Sequence, residues 1–381
     1  MHKPATWRGQ LVSAINRKGT LKGLAAELGL SVTTVSRALG GYSDVSAATR
    51  QRVQDAASEV GYVPNAAAKM LVSGRSGFIG FLLPLQVPAI LDPFLGEYIT
   101  GLSEGLSERG RDLFMATVPP GQSELSVLKH VVESGRADGV VLTRIAEDDE
   151  RVDYLLNRGF PFVTHGRTNT EDAGYSWIDT DGYKAFGDTF NWLYSLGHRR
   201  FTLLSITEAM TFRSHREAGF EHAQKAQSDP AVSVATYRVP RFDNASRIET
   251  VRAVLQSKDR PTAILALTDE LALCVLEQAA ALGISVPDQL SVVGFDNIPQ
   301  SAYATPGLTT FDQSIRAAAR QIADMLLDSL DDEKTNGESE DGQSVEAQSR
   351  RTQTLLTPEL ILRGSHSSAP EAVLSVAQGS A

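Results

Sequence analysis

The chain has one cysteine in 381 residues, Cys274. A single thiol excludes an internal disulfide and any metal site built on several thiolates. Flanked by Leu271, Leu273, Val275 and Leu276, it reads as a buried helical residue and not as a reactive one. Long apolar runs are missing too, for none approaches the ~20 residues that cross a bilayer. The first thirty residues lack the unbroken apolar core of a secretory signal. These two absences predict a cytoplasmic protein. The dinucleotide fingerprint Gly-x-Gly-x-x-Gly, the Gly-x-Ser-x-Gly elbow, His-Glu-x-x-His and the phosphate loop Gly-x4-Gly-Lys-Ser/Thr are absent as well. Their absence argues against an enzyme on an α/β scaffold. His198, in Leu196-Gly197-His198-Arg199-Arg200, stands beside a turn with no nucleophile near it in sequence. It reads as a cap on the preceding helix end.

Apolar residues make up 42% and charged residues 22% of the chain, as in a globular protein, and 381 residues are too many for one compact core. Two or three domains are expected. The net charge is −10, yet residues 1–75 hold ten Lys/Arg against four acids. That surplus of six positive charges leaves the remainder at −16. Charges are screened over about 8 Å at physiological salt, so an acidic body does not cancel a basic head set apart from it. The asymmetry suits nucleic-acid binding by the head alone.

Within the head, Leu21, Leu24, Ala25 and Leu28 recur at helical spacing, which predicts a helix over residues 21–28. Thr20 supplies an N-cap. Gly23 offers no side chain for a capping box and weakens the helix by roughly 1 kcal/mol. Gly29 closes the helix and Ser31 caps the next one, whose Val35 and Leu39 point inward while Val32, Thr33, Ser36 and Arg37 face outward. A third helix, over residues 46–60, is capped by Ser46 and buries Val53, Ala56, Ala57 and Val60. Two short helices meeting at a glycine form a helix-turn-helix, whose second helix fits the DNA major groove. Pro64 then opens an alanine-rich stretch through Leu71, well suited to a helix but too short to hold alone in water.

From Phe78 onward, short apolar runs alternate with amphipathic stretches. Strands are expected over residues 79–83, 113–117, 139–142, 162–164, 201–204, 263–266 and 291–294. Helical patterns fall between them, among others over 95–108, 183–196, 214–227 and 270–282. This βαβ alternation argues for parallel sheets with helices on both faces. Two such sheets joined by crossovers give a two-lobed, periplasmic-binding-protein-like body with a ligand between the lobes. The fold class is thus an all-α helix-turn-helix head plus an α/β body of parallel sheets.

The string from Thr20 to Leu71 resembles, almost position for position, the headpiece of the lactose/galactose-repressor (LacI/GalR) family, and the likeness runs on to about Gly364. In the body it is carried by Arg216-Glu217-Ala218-Gly219-Phe220, by Leu267-Thr268-Asp269 and by Leu290-Ser291-Val292-Val293-Gly294-Phe295-Asp296. The resemblance implies that Val32, Thr33 and Arg37 touch base edges, while Thr34, Ser36 and Thr49 lie near phosphates. A guanidinium can fork onto guanine, and valine and threonine methyls can pack on thymine. The competing reading is a merely solvated helix face. Residues 64–75 are implied to be a hinge helix that folds when two copies meet in the minor groove. Leu71 would pry a base step open there, with Ala68 and Asn65 as neighbouring contacts; a plain linker helix is the alternative.

For the body, the resemblance implies a small-molecule effector, a sugar. Arg216 would fork onto its hydroxyls and Asp296 would accept from them, with Thr268, Asp269 and Gln313 at further cleft positions. Asp92 and Phe94, in Asp92-Pro93-Phe94, would stand at the cleft mouth. Phe94, Phe242 and Trp177 are candidate apolar faces for a sugar ring, against the alternative of core packing. Asp269, just ahead of a helix, reads equally well as a cap.

The sequence departs from the family in three places. Residues 85–91 lengthen the loop before Asp92. His165-Gly166-Arg167 replaces the usual Ile-Asp-Arg. Residues 331–351 form a Ser/Gly/Glu-rich insert, expected to be disordered. His165-Gly166-Arg167-Thr168 with Tyr175-Ser176-Trp177-Ile178-Asp179 is similar to a branch of the family controlling oligosaccharide or α-glucoside uptake.

The expected organisation is an extension over residues 1–18, in which Trp7, Leu11, Val12 and Ile15 suit an extra helical turn, then the helix-turn-helix over 19–63 and the hinge over 64–75. The body follows over 76–365, its N-lobe at 76–180 and 306–330 and its C-lobe at 181–305 and 352–365, with a tail at 366–381. The function implied is a repressor of sugar-uptake genes, without cofactor or metal, acting as a homodimer or a tetramer on a palindromic operator. A transport-type sugar-binding protein is the alternative.

Overall fold

A computed structural model describes residues 20–40, 42, 44–62, 74–84, 93–170, 174–337 and 351–370. The chain divides into two units, residues 1–77 and 78–381. The first holds α1 (Leu21–Leu28), α2 (Val32–Leu39) and α3 (Ala47–Glu59). Each opens on a hydroxyl cap. Thr20 Oγ1 accepts from Gly23 N at 3.1 Å, Ser31 Oγ from Thr34 N at 3.0 Å and Ser46 Oγ from Thr49 N at 3.2 Å. Gly29 ends α1 at φ 66°, a left-handed conformation that glycine adopts at no steric cost. Leu24, Ala25, Val35, Ala38, Val45, Val53 and Ala57 are buried together as the core of this unit.

The second unit contains β1 (Phe78–Pro84), α4 (Pro93–Glu108), β2 (Asp112–Val118), α5 (Glu124–Glu133), β3 (Gly139–Leu142), α6 (Glu150–Arg158), β4 (Phe162–His165) and β5 (Ser176–Thr180). Then come α7 (Gly182–Ser195), β6 (Arg200–Ile206), α8 (Thr211–Lys225), β7 (Ser233–Val239), α9 (Asn244–Gln256), β8 (Ala263–Ala266), α10 (Asp269–Ala281) and β9 (Ser291–Val293). The unit closes with α11 (Pro299–Tyr303), β10 (Thr310–Asp312), α12 (Ile315–Gly337), β11 (Gln353–Leu356) and β12 (Glu359–Ile361).

The N-lobe sheet runs β11-β5-β4-β3-β1-β2 and the C-lobe sheet β7-β6-β8-β9, with every pair parallel. Side chains alternate across a strand, so each sheet has two apolar faces to cover. In β1, Ile79 and Phe81 pack with α4 and α12, while Leu82 packs on the other face with Leu128, Val131 and Leu155. The C-lobe core gathers Phe190, Phe201, Leu203, Phe220, Ile264, Val275 and Phe295. Cys274 is 7% exposed within it. Among the described residues, no helix is long and apolar enough to cross a membrane.

The chain passes between the lobes at β5–α7, at β10–α12 and at β11–β12, and these passages revise two expected boundaries. Residues 353–356 were expected in the C-lobe, yet β11 pairs with β5 at the edge of the N-lobe sheet. Residues 306–313 were expected in the N-lobe. They stay with the C-lobe instead, because Gly294 N donates to Thr309 O and Asp296 N to Phe311 O. Residues 331–337 were expected to be disordered, yet α12 continues through them to Gly337, and Asp331 forms an ion pair with Arg109 at 2.8 Å. Residues 338–350 lie outside the described part.

Candidate functional sites: a recognition helix and an interlobe cleft

On α2, Val35 and Ala38 are fully buried, while Val32 is 40% exposed and Thr33 is also exposed. Thr34, Ser36 and Arg37 are half-buried around the same face. One short helix thus offers a methyl pair, hydroxyls and a guanidinium on the side away from its core. Thr34 and Thr49 lie in the first turns of α2 and α3, where the helix dipole favours an anion. Arg37 has its Nη2 2.8 Å from Asp44 Oδ2, and its guanidinium lies 4.6 Å above the Tyr42 ring. Asn65, Ala68 and Leu71 lie outside the described residues.

In the body, a cavity of about 690 Å³, counted to its mouth, lies between the lobes. Arg216, from α8, is 5% exposed on its wall. Its guanidinium sits 3.7 Å from the Phe295 ring centre and 4.9 Å from that of Phe212. It donates from Nη1 to Leu267 O, while its buried Nε has no hydrogen-bond partner. Burial lowers its pKa to about 10, against the pull of Asp296 and Asp179. The side chain therefore stays charged at neutral pH.

Two acids face the cavity. Asp179, at the C-terminal end of β5, accepts from Thr180 N at 2.8 Å through Oδ1. Its Oδ2 lies 3.2 Å from Arg167 Nε and 3.7 Å from His215 Nδ1, with neither contact aligned as a hydrogen bond. Burial raises its pKa to about 6, although the Thr180 N–H and the Arg167 and Arg216 charges oppose the rise. Asp296 accepts from Gln313 Nε2 at 2.6 Å. Its backbone has φ 118°, followed by Asn297 at φ 48°. Non-glycine residues in such conformations cost about 1–3 kcal/mol each and cluster at ligand sites. Here Arg363 braces the turn by donating to Asn297 Oδ1 at 2.7 Å.

The apolar wall is a stack. The His165 ring lies 5.3 Å from Tyr98 and 5.8 Å from Phe94, within 13° of parallel to both. Burial lowers the His165 pKa to about 4, so the imidazole is neutral and serves as a flat, weakly polar plate.

A second set of contacts ties the lobes together beside the cavity. Thr211 N and Oγ1 both donate to Ile145 O, at 3.0 and 3.1 Å, and Glu147 N donates to Ala209 O at 3.3 Å. Arg213 pairs with Glu147 at 3.1 Å. The loop carrying Ile145 and Glu147 is held from beneath by buried Arg151. That side chain forks onto Asp149 at 2.9 and 2.6 Å and donates to the carbonyls of Thr143 and Arg144.

Of the effector residues expected from sequence, Phe94, Arg216, Thr268, Asp296 and Gln313 line this cavity. Asp269 does not. It is fully buried behind the wall, where Ser301 Oγ, Thr310 Oγ1 and Ile298 N donate to its carboxylate, so its work is structural. Phe242 also lies off the wall, 5.4 Å from the Arg241 guanidinium, because Arg241 takes the cavity position. Trp177 is off the wall too and packs in the N-lobe core, with the Arg167 guanidinium 5.0 Å from its ring centre. Asp92 is outside the described residues. His198 is not a helix cap, since its ring bridges Thr262 Oγ1 and Ser367 O at 3.0 Å each. Asp179, His165, Thr211, Phe212 and Arg241 line the wall without having been expected there. Their signal was position, for Asp179 and His165 end parallel strands where open α/β sheets hold ligands.

A helix-turn-helix head in one chain with a two-lobed binding body defines a ligand-responsive DNA-binding regulator. Residues 20–65 match the bacterial regulatory proteins of the lacI family, and residues 190–365 match the periplasmic binding protein-like domain. The HTH-type transcriptional regulator AglR of Rhizobium meliloti (strain 1021) is 31% identical over 356 residues, covering 92% of this chain and 95% of that protein. The chain belongs to the lacI family of transcriptional regulators; it acts on double-stranded DNA and is not an enzyme. The HTH-type transcriptional regulator CelR of Thermobifida fusca is 30% identical over 322 residues, which are 84% of this chain and 94% of CelR. A solved complex of CelR with cellobiose superimposes with a TM-score of 0.65 at 26% identity, covering 91% of this chain and 99% of that one.

Proposed function

We propose that this regulator is a cytoplasmic homodimeric repressor of genes for uptake and breakdown of an oligosaccharide, released from its operator when the sugar enters the interlobe cleft. The observation that carries the reading is that buried Arg216 and Asp179 line one cavity together with Asp296, Phe94 and His165. A sugar offers hydroxyls that both donate and accept, on a ring with apolar faces. Carboxylates accept from them, the guanidinium donates, and the aromatic plates cover the ring. The cellobiose held by CelR supports a disaccharide-sized effector. Thr268 and Gln313 complete the polar wall.

In the head, Val32, Thr33 and Arg37 read base edges, while Thr34, Ser36 and Thr49 hold phosphates. Asn65, Ala68 and Leu71 are assigned to the minor groove. Two heads related by two-fold symmetry require a palindromic site. The test is a melting-temperature screen of the full-length protein against mono- and disaccharides. A ligand at about 100 times its Kd adds ~2.7 kcal/mol to stability, a shift of several degrees. A broad panel of neutral sugars that leaves the melting temperature unmoved would contradict the carbohydrate reading.

A further inference from the structure

The loop after the recognition helix is built around one side chain of that helix. Arg37 lies in the last turn of α2, and beyond the helix Tyr42 N donates to Arg37 O at 3.1 Å. The Tyr42 ring then lies under the Arg37 guanidinium at 4.6 Å, and Asp44 takes its Nη2 at 2.8 Å. Two further features hold the turn. A Cβ on Gly40 would stand 2.8 Å from the Tyr42 ring, so glycine makes room for it. From α3, Arg50 donates to the carbonyls of Tyr42 and Val45 at 2.8 and 3.3 Å.

We infer that Tyr42 and Asp44 are specificity-determining residues, which hold Arg37 as a pre-ordered reader of a guanine edge. The inference rests on the reading of Arg37 as a base contact. A guanidinium carries five N–H donors. One ring face and one carboxylate contact therefore leave donors for the bidentate pair that guanine O6 and N7 accept. Ordering a long, flexible side chain before DNA arrives removes that entropy cost from binding. The carboxylate also disfavours an arginine that swings to a nearby phosphate, where it would bind without reading sequence. An isolated exposed ion pair adds little to stability. The consequence here falls on discrimination, not on folding.

Full-length protein selects duplexes from a randomised library, and the enriched site defines a panel of single-base-pair variants. Dissociation constants are then measured at one fixed salt concentration for wild type, Arg37→Ala, Asp44→Asn and Tyr42→Leu. Wild type is expected to discriminate roughly ten- to hundredfold at the base pair that Arg37 reads, and Arg37→Ala to flatten that position. Asp44→Asn, an exposed near-isosteric change, is expected to cut discrimination there about three- to tenfold while the ratios at other positions hold. Tyr42→Leu should act in the same direction. If Arg37→Ala flattens a position but Asp44→Asn leaves its ratio intact, or tightens binding to every duplex alike, the inference fails on its own. If Arg37→Ala flattens no position, the assignment of Arg37 to a base falls, and this inference falls with it.

Discussion

Asp179, on the cavity wall, is a side chain whose burial costs stability at neutral pH. It is buried, and its pKa of about 6 lies above the ordinary carboxylate value because burial disfavours the charged form. The neutral form is thus favoured in the fold. That contribution to stability is complete below about pH 4 and is lost as pH rises through about 6. At neutral pH the protein carries an ionised group in a poorly solvated place. Asp179→Asn is therefore expected to stabilise the unliganded protein at pH 7 by roughly 1–3 kcal/mol, and to remove the decline in stability between pH 4 and 6. The same change should weaken sugar binding about tenfold or more, since it removes a charged acceptor for hydroxyls. Thermal melts across pH, with calorimetric titration of the sugar, read both effects. All four of Arg216, Asp296, Asp269 and Asp179 stood in recognisable strings, yet the strings did not separate the wall from the core. Asp179 lines the cavity without having been assigned to it. Asp269, assigned to it, is buried behind it among three donors.

Among elements, the contacts of residues 145–147 with 209–213 oppose separation of the lobes beside the cavity. Glu147 and Arg213 are partly exposed, so their pair is worth only about 0.5–1 kcal/mol after solvent screening. Glu147→Gln is expected to weaken sugar binding two- to fivefold, because a smaller share of molecules is then closed and competent. Tighter binding in calorimetry would mean that the pair holds an unproductive closure. The elements most legible in the sequence were those with continuous apolar runs, such as β3 and β8, which appear with the expected bounds. The helices of the head were equally legible, since Thr20, Gly29, Ser31 and Ser46 mark their ends. By contrast, β7 is a sheet edge with exposed Thr236, Tyr237 and Arg238 and leaves no such run. The short strands β10, β11 and β12 are placed by pairing with distant residues. That long-range pairing is why the lobe boundaries near residues 306–313 and 353–356 were misread.

At the scale of the whole molecule, charge is divided by task. The first 75 residues carry the positive surplus and the remainder the net −16. Affinity for DNA should therefore fall steeply with salt, as phosphate contacts release counterions, while sugar binding should change little. The central claim is that filling the cleft weakens the grip on the operator. Linkage makes such coupling reciprocal, so the factor by which sugar weakens operator binding equals the factor by which operator weakens sugar binding. The most direct measurement is fluorescence anisotropy of the selected operator duplex with full-length protein, titrated with and without saturating sugar. A rise in the operator Kd of tenfold or more, abolished in Arg216→Ala, is the expected result. An operator Kd that saturating sugar leaves unchanged, or lowers, would contradict the account.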